Sequence, residues 1–404
     1  MRREPFLLML ALVLAACNAA PGTTVPSPAS MTGTPAITIT NTPAQPATPT
    51  PPPPALLRVP SPVLAYIDFQ DANNGWGIAL NDNGYVLRTV DGGSTWLNAT
   101  PPDFGMLGPS ASLFALNVNT VWVLVPGPDF YAASLYHTID GGVTWTSNPV
   151  PFGGAYIQFQ DESSGRALAD RGAGAGSNAV GLYHTSDGGV TWVSVFHNDP
   201  TLPGWSDNLP LNGIKNGMYF INASTGWVTG SVPAAGDIYF YVTHDGGISW
   251  IRQGIPLPTG YETYLYVAHA PIFFGEDGYL PLTVYLQSTT SLTFYTTHDG
   301  GATWTGDPGN ANKVITPGRY SFADGMHAWS WDGGPVLYST SDGTQSWNPL
   351  PTGLDLSGKL SQLQFVPATA GSFIGWALTG MDETNHSQLY MTRDNGATWT
   401  QVLP

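Results

Sequence analysis

The sequence predicts an all-β protein, a seven-bladed β-propeller with four antiparallel strands per blade. One short motif, Thr-x-Asp-Gly-Gly-x-Thr/Ser-Trp with small variations, occurs seven times at intervals of 43 to 58 residues. Strand-like segments separated by turn residues fill each interval. A repeat of this length with strand-like flanks is typical of propeller blades. The central aspartates are Asp91, Asp140, Asp187, Asp245, Asp299, Asp342 and Asp394.

The first repeat shows the four strands most clearly. Tyr66–Phe69 alternates as a strand does, and turn residues at 71–74 lead to a second strand at 75–80. A third strand at 85–89 follows another turn, and the motif then leads into a fourth strand near Ser94. Each unit is therefore predicted to be four short antiparallel strands joined by tight turns.

Tryptophans mark two positions in the repeat. A landmark on the second strand is occupied by Trp76, Trp122, Arg166, Trp227, Tyr279, Trp329 and Trp376. The motif itself is closed by Trp96, Trp145, Trp192, Trp250, Trp304, Trp347 and Trp399. Only Trp205 and Trp331 of the 14 tryptophans lie outside both sets. With the repeats counted in this way, each repeat is one whole blade. The pattern leaves open whether residues 55–60 supply a strand that closes the ring.

The repeated motif resembles the Asp box, also called the BNR repeat, which in that family forms the turn between the third and fourth strands of a blade. The residue chemistry agrees, since an aspartate can accept hydrogen bonds from its own turn and the second glycine can take a positive φ. The tryptophan can bury its ring between sheets. Because the motif recurs in every blade, we expect its aspartates and tryptophans to be structural rather than catalytic or metal-binding. Thr344 replaces the glycine in the sixth copy, which predicts a looser turn.

Residues 1–17 resemble a bacterial lipoprotein signal peptide. Arg2 and Arg3 precede an apolar run, Phe6–Ala16, that is too short to span a bilayer. The run ends in Leu-Ala-Ala before Cys17, the chain's only cysteine, as in a lipobox. The resemblance implies lipidation of Cys17 and an extracytoplasmic protein anchored to the bacterial cell membrane, at the cell surface or in the periplasm. The alternative is an ordinary signal peptide with a chance cysteine.

Residues 18–57 are predicted to be a disordered linker. They contain 11 prolines among Thr, Ser and Ala, and no charged residue, so they cannot bury a core. In an extended polyproline II conformation this segment would reach on the order of 100 Å. The predicted organisation is therefore a signal peptide at 1–17, a linker at 18–57 and the propeller at 58–404.

The charge of the chain argues against several kinds of ligand. The net charge is −16, with only 12 Lys and Arg residues and no basic run, so no nucleic-acid partner is expected. The eight histidines show no metal-ligand spacing. We expect a monomer without metal or cofactor, in contact with the membrane only through its lipid anchor.

An enzymatic function is the alternative interpretation, because Asp boxes also occur in sialidases and some glycoside hydrolases. Sialidases resemble one another in an arginine triad, often opened by Arg-Ile-Pro, and in a Tyr/Glu nucleophile pair. Arg58-Val59-Pro60 is similar to that opening, and Tyr261 adjoins Glu262. A paired-carboxylate glycosidase would need two acids across a cleft. The acids available for this are Asp207, Glu262, Asp277 and Asp307.

The repeat combines a Gly-Trp pair at the second-strand landmark with the Asp box. In this combination the chain is most similar to the photosystem II stability/assembly factor-like propellers, over about residues 58–404. That resemblance implies a non-enzymatic binding or assembly protein with no cofactor. This chain has too few arginines for the basic patch of the photosynthetic members. We therefore expect a binding module for a protein or glycan partner.

The candidate binding face is the one that carries the long insertions. Strands in a blade alternate direction, so the 4→1 and 2→3 connections share one face. Long connections fall at about 193–217, 251–270, 305–317 and 348–361 (4→1) and at 167–181 and 379–388 (2→3). Variable loops on a rigid scaffold often carry a site. The candidate residues there are Arg171, Trp205, Asp207, Arg252, Tyr261, Glu262 and Tyr264. Trp205 either contacts the partner or packs its own loop down.

The lipoprotein interpretation predicts that Cys17→Ser abolishes lipid attachment, because the thiol is the acceptor for the acyl chains. Metabolic labelling with palmitate should mark the wild-type chain and leave the variant unlabelled. Equal labelling of the two chains would contradict the interpretation.

Overall fold

Seven antiparallel strand units follow one another along the chain, which confirms the predicted all-β propeller with four main strands per blade. The computed structural model describes residues 55–80, 84–105, 107, 111–127, 131–257, 260–285, 290–306, 318–369, 371–383 and 386–403. Within these ranges there is no helix, and so none long and apolar enough to cross a membrane. The predictions for the signal peptide, Cys17, most of the linker and Asp307 concern residues outside these ranges.

The first four blades are built from seventeen strands. Blade 1 contains β1 (Arg58–Val59), β2 (Leu64–Phe69), β3 (Gly75–Ala79), β4 (Tyr85–Thr89) and β5 (Trp96–Asn98). Blade 2 contains β6 (Ser112–Ala115), β7 (Val121–Pro126), β8 (Ala133–Thr138) and β9 (Thr146–Val150). Blade 3 contains β10 (Ala155–Phe159), β11 (Gly165–Gly174), β12 (Ser177–Thr185) and β13 (Val193–His197). Blade 4 contains β14 (Ile214–Phe220), β15 (Gly226–Ser231), β16 (Tyr239–Thr243) and β17 (Ile251–Arg252).

The last three blades follow the same order, with one interruption. Blade 5 contains β18 (Leu265–Ala268), β19 (Ile272–Phe274), β20 (Asp277–Tyr285), β21 (Thr290–Thr297) and β22 (Thr305–Gly306). Blade 6 contains β23 (Arg319–Phe322), β24 (Ala328–Trp331), β25 (Val336–Thr340) and β26 (Asn348–Pro351). Blade 7 contains β27 (Leu360–Pro367), β28 (Phe373–Thr379), β29 (Leu389–Thr392) and β30 (Thr400–Leu403). β18 and β19 both pair with β20, and Pro271, which has no backbone N–H, stands between them.

In the part of the chain that the structure describes, the ring closes without a strand shared between the first and last blades. β1 pairs with β5 on the outer edge of blade 1, so residues 58–59 add a fifth strand there. Blade 7 consists of β27 to β30 alone. First strands of neighbouring blades contact one another, including β2 with β27, and therefore form the inner layer of the ring.

Side-chain amides replace backbone pairing across this seam. Gln362 accepts a hydrogen bond from the Ile67 N–H (3.0 Å) and donates one to the Ile67 carbonyl (2.6 Å). Gln364 makes the same pair of bonds with Phe69, at 2.8 and 2.9 Å. Gln158 repeats the arrangement with Phe220, between blades 3 and 4. Each amide thus satisfies a backbone N–H and C=O that would otherwise have no strand partner.

Aromatic stacking fills the wedge-shaped space, here called the wedge, between most pairs of neighbouring blades. The first-strand phenylalanine of one blade lies flat on the second-strand landmark of the blade before it. The ring centroids are 3.7 Å apart for Phe69 and Trp376 and for Phe159 and Trp122, and 4.0 Å apart for Phe365 and Trp329. Two looser stacks join Phe273 to Trp227 and Phe322 to Tyr279. Between blades 3 and 4 the Arg166 guanidinium lies 4.1 Å from the centre of the Phe220 ring, a cation–π contact in place of a stack.

The landmark tryptophans also bind the neighbouring Asp-box turn. The indole N–H groups of Trp122, Trp329 and Trp376 donate to the carbonyls of Gly188, Asn395 and Gly92, at 2.8 to 2.9 Å. These acceptors are the residues directly after the Asp-box aspartates. Each of these tryptophans therefore fills the space between two blades and also donates a hydrogen bond to a carbonyl of the next blade.

The Asp-box turns share one hydrogen-bond pattern, as blade 3 illustrates. The Asp187 carboxylate accepts from the Thr191 N–H (2.9 Å) and hydroxyl (2.6 Å). Thr185, which is buried, donates its hydroxyl to Asp187 (2.8 Å) and accepts from the Gly189 N–H (2.9 Å). The hydrogen bonds from Thr191 hold the pKa of Asp187 below its usual value. In the fifth box, those from Thr303 lower the pKa of Asp299 to about 2.

The sixth turn keeps this pattern, so the predicted looser turn is wrong. Asp342 accepts from the Ser346 N–H at 2.9 Å, as in the other copies. Thr344 takes the glycine's place with a φ of 72°, and its N–H still reaches Thr340, at 3.2 Å. The threonine and serine hydroxyls hold the turn closed, and the missing glycine is replaced by a residue in a left-handed conformation.

Thr344→Gly should stabilise the protein by about 0.5 to 1 kcal/mol. A left-handed conformation costs a non-glycine residue roughly 1–2 kcal/mol, which outweighs the entropic cost of glycine. The measurement is the free energy of unfolding in urea. The matched control, Gly189→Thr, should lower it by about 2 kcal/mol, because a Cβ there would lie 2.5 Å from Leu135 Cδ2. Destabilisation by Thr344→Gly would contradict this account of the turn.

Candidate binding face

Four connections on the predicted face join into one continuous surface, here called the loop ridge. It consists of the outer half of the β11–β12 hairpin (170–178), the link 198–213, the link 232–238, and the described parts of the link 253–264. The predicted 2→3 loop of blade 3 is in fact this hairpin, whose strands pair out to Gly174 and Ser177. Arg171 therefore lies on β11, not on a loop, and Arg252 lies on β17.

Backbone contacts connect these segments in sequence. Gly213 bonds in both directions with the hairpin tip, donating to the Gly176 carbonyl and accepting from the Asn178 N–H, each at 3.1 Å. Gly176 in turn lies against Pro233, where a Cβ would come within 3.0 Å of the ring. The Gly236 N–H then donates to the Tyr264 carbonyl at 2.9 Å. The ridge thus runs without a break from blade 3 to blade 5.

A buried lysine anchors the link 198–213. The Lys215 ammonium donates to the carbonyls of Leu211 (2.7 Å), Asn178 (2.9 Å) and Gly213 (3.0 Å). It also lies 5.1 Å from the centre of the Tyr239 ring. The side chain is 3% exposed, and burial lowers its pKa to about 7. Since buried ammonium groups need such partners, Lys215 fixes three carbonyls of the ridge in place.

A second anchor holds the same link from its other end. The Asn198 side chain accepts from the Val180 N–H at 2.7 Å and donates to the Leu209 carbonyl at 3.0 Å. Leu209 is fully buried in the cluster that contains Phe196. The link is therefore fixed by one apolar side chain and two polar anchors.

Trp205 projects from this fixed link. Its side chain is 48% exposed, and no aromatic ring of the described residues stacks on it. Leu209, not Trp205, packs the link down. Trp331, the other tryptophan outside the repeat, is 1% exposed and stacks on Trp399 at 5.2 Å. The two exceptions to the repeat pattern thus have opposite environments.

The remaining candidate residues are two exposed acids and two arginines that each have a hydrogen-bond or ion-pair partner. Asp207 and Glu262 are exposed. Hydrogen bonds from the backbone N–H groups of Glu262 and Gly260 lower the pKa of Glu262. Arg171 donates to the Tyr183 hydroxyl at 2.5 Å, and Arg252 forms an ion pair with Asp237. Each guanidinium group therefore has a polar partner, the Tyr183 hydroxyl on β12 for Arg171 and the Asp237 carboxylate of the link 232–238 for Arg252.

Two tyrosines form the blade 5 end of the ridge. The rings of Tyr261 and Tyr264 lie 5.7 Å apart, and both pack partly into the cluster that contains Trp304. The Tyr261 carbonyl accepts from the Tyr266 hydroxyl at 2.5 Å. These contacts hold the link 253–264, so the half-exposed tyrosines have fixed positions.

The ridge also contains determinants that the sequence did not single out. Lys215, Asn198 and Asn178 do not recur at equivalent positions in the other blades, so no periodic pattern marks them. The only feature of the sequence that could have indicated Lys215 was its residue type, because lysine is rare in this chain. Their roles depend on where the 198–213 link crosses blades 3 and 4.

The arginines after the leader are spread over five blades. Arg58 lies on β1, Arg88 on β4, Arg166 and Arg171 on β11, Arg252 on β17, Arg319 on β23, and Arg393 after β29. Tyr261 and Glu262 have none of them as a hydrogen-bond or ion-pair partner. Asp277 bonds to His298 beside an Asp box, on the face opposite Asp207 and Glu262. Among the described residues, Tyr261 and Glu262 thus have no bonded arginine, and Asp277 does not lie on their face of the ring.

A cavity of about 580 Å³ opens among the starts of the inner strands of blades 1, 5, 6 and 7. Tyr66, His269, Arg319 and Tyr320 contribute to its wall. Burial raises the pKa of the nearby Asp68 to about 6. Within the described residues, no group of three His, Cys, Asp or Glu side chains is placed to hold a metal ion.

Comparisons with known proteins support the fold. No family model and no curated protein matches the chain. Among solved structures, it is similar to YCF48 from Cyanidioschyzon merolae, with a TM-score of 0.52 and 16% identity over 84% of this chain and 98% of that one. It is also similar to a polysaccharide lyase, the PL25 ulvan lyase, with a TM-score of 0.50 and 10% identity over 86% and 96%. At these identities the likeness establishes the propeller fold alone.

Proposed function

We propose that the protein is a non-enzymatic binding module, exported and lipid-anchored through Cys17, that holds a protein or glycan partner on its loop ridge. The observation that carries the proposal is Trp205, a half-exposed tryptophan on a link that Lys215, Asn198 and Leu209 fix in place. An aromatic side chain presented by a rigid loop loses little entropy on binding. Such residues dominate the affinity of many interfaces.

The charges of the ridge narrow the kind of partner. Its exposed acids, Asp207 and Glu262, are accompanied by arginines that are already engaged with Tyr183 and Asp237. Arg252 is neutralised by Asp237, whereas Arg171 bonds to a neutral hydroxyl and is the one remaining cation of the described ridge residues, outnumbered by these acids. The partner surface is therefore neutral or basic, with groups that contact the indole of Trp205.

The enzyme alternative finds less support in the described residues, because no arginine bonds to Tyr261 or Glu262 and Asp277 lies on the face opposite Glu262. The loop ridge can bind and orient a partner through aromatic contacts and hydrogen bonds. A scaffold that presents such a surface at the end of a long linker suits assembly or capture outside the cytoplasm.

The proposal predicts that Trp205→Ala weakens binding about tenfold or more with little change in melting temperature, and that Tyr261→Ala weakens it similarly but also lowers the melting temperature, because its ring packs against the Trp304 cluster. The partner is first captured by cross-linking with the full chain, and its affinity for each variant is then measured. Ile139→Ala is the matched control, since Ile139 is a 62% exposed apolar residue in the Asp-box turn of blade 2, on the face opposite the ridge. Undiminished affinity in the Trp205→Ala/Tyr261→Ala double variant would contradict the proposal.

A further inference from the structure

The interface between blades 5 and 6 combines three residues that no other interface has together. Its second-strand landmark is Tyr279 instead of tryptophan, and its hydroxyl donates to the Gly325 carbonyl, not to an Asp-box residue. Thr344 occupies the Asp-box position that is glycine in the other six copies. On the third strand, Phe294 stands where blades 2, 3, 6 and 7 have leucine, a position that is also phenylalanine (Phe240) in blade 4. Every substitution changes a residue that fills the wedge.

The sixth Asp-box tryptophan is consequently rotated out of its usual place. Trp192, Trp250 and Trp399 meet the phenylalanine of their own blade edge-on, at interplanar angles of 77° to 84°. Trp347 instead stacks on Phe294 of the neighbouring blade, with a centroid distance of 5.6 Å and an angle of 24°.

The indole N–H of Trp347 is unpaired but not buried, whereas those of Trp96 and Trp304 are unpaired and buried. In Trp145, Trp192, Trp250 and Trp399 this group donates to the glycine carbonyl of its own turn at 3.0 to 3.2 Å. Among the described residues, the Trp347 N–H has no acceptor, and it is not one of the buried unpaired groups. It is therefore a hydrogen-bond donor that an incoming group can reach.

A cavity of about 270 Å³ occupies the space that the rotation leaves. Trp347, Phe294 and Met326 supply apolar surface, and Met326 is 52% exposed. Asp277, Thr296 and Gln345 supply acceptors and further donors. Asp277 is held by His298, whose ring nitrogen lies 2.7 Å from its carboxylate. The cavity lies on the Asp-box face, opposite the loop ridge.

We propose that this cavity is a second binding site, which takes a single neutral sugar ring. A sugar ring offers an apolar face to Trp347 and Met326, and hydroxyls that both donate and accept. The indole N–H needs an acceptor and the Asp277 carboxylate needs a donor, a combination that an ammonium ion cannot satisfy. No Lys or Arg lines the cavity, so an anionic sugar finds no counter-charge. The volume is at the lower end of ligand pockets and matches one small ring.

The site is tested by a titration that follows the indole N–H resonances of the full-length chain, with nitrogen-15 in its 14 tryptophans. The probes are the methyl glycosides of glucose, galactose and N-acetylglucosamine. The Trp347 signal, identified by its loss in Trp347→Phe, should shift saturably with at least one probe, while the Trp205 signal stays in place. Glucuronic acid should bind at least about tenfold more weakly, because Asp277 repels it.

Variants separate this site from general destabilisation. Trp347→Phe keeps the stacking surface and should weaken binding about five- to tenfold, since only one hydrogen bond is lost. In Trp192→Phe, the matched control, the lost N–H was bonded within its own turn, so binding should be unchanged. Trp205→Ala should also leave it unchanged, so failure here and failure of the loop ridge are distinguishable. No shift with any of the three glycosides, or an equal shift with lysine methyl ester, would overturn the proposal.

Discussion

The contact on which this fold depends is the wedge between neighbouring blades, where a first-strand phenylalanine lies on the second-strand landmark of the preceding blade. In Trp376 the same side chain stacks on Phe69 at 3.7 Å and donates its N–H to the Gly92 carbonyl. Offset stacks of this kind stabilise beyond the area they bury. Since none of the described strands is exchanged between blades 1 and 7, these contacts and the glutamine side chains Gln362 and Gln364 hold the ring closed.

Both proposed sites are departures from this regular frame. The loop ridge extends the hairpin of blade 3 and the links on either side of blade 4, and Lys215 fixes it to the frame. The cavity between blades 5 and 6 arises where the frame is incompletely filled, at Tyr279 and Thr344. A repeated residue serves every blade equally, whereas a site needs an asymmetric one.

The sequence predicted what repeats and missed what occurs once. The seven Asp boxes fixed the number and phase of the blades, because each motif forms its turn through local hydrogen bonds such as those of Asp187. The glutamine bridges, the Lys215 anchor and the rotation of Trp347 depend on contacts between segments far apart in the chain. The local sequence pattern contains no information on these contacts. For the same reason, the sequence pattern predicts a loop at Arg171, whereas this residue lies on β11.

The most direct test of the central claim is hydrogen exchange in Trp376→Ala, followed strand by strand. If side-chain stacking closes the ring, removing this indole should raise amide exchange on both sides of the seam, in β2 and β3 as well as β27 and β28. Strands of blade 4, across the ring, should keep their wild-type protection. Faster exchange confined to blade 7, with β2 unaffected, would show that the seam does not depend on the stack.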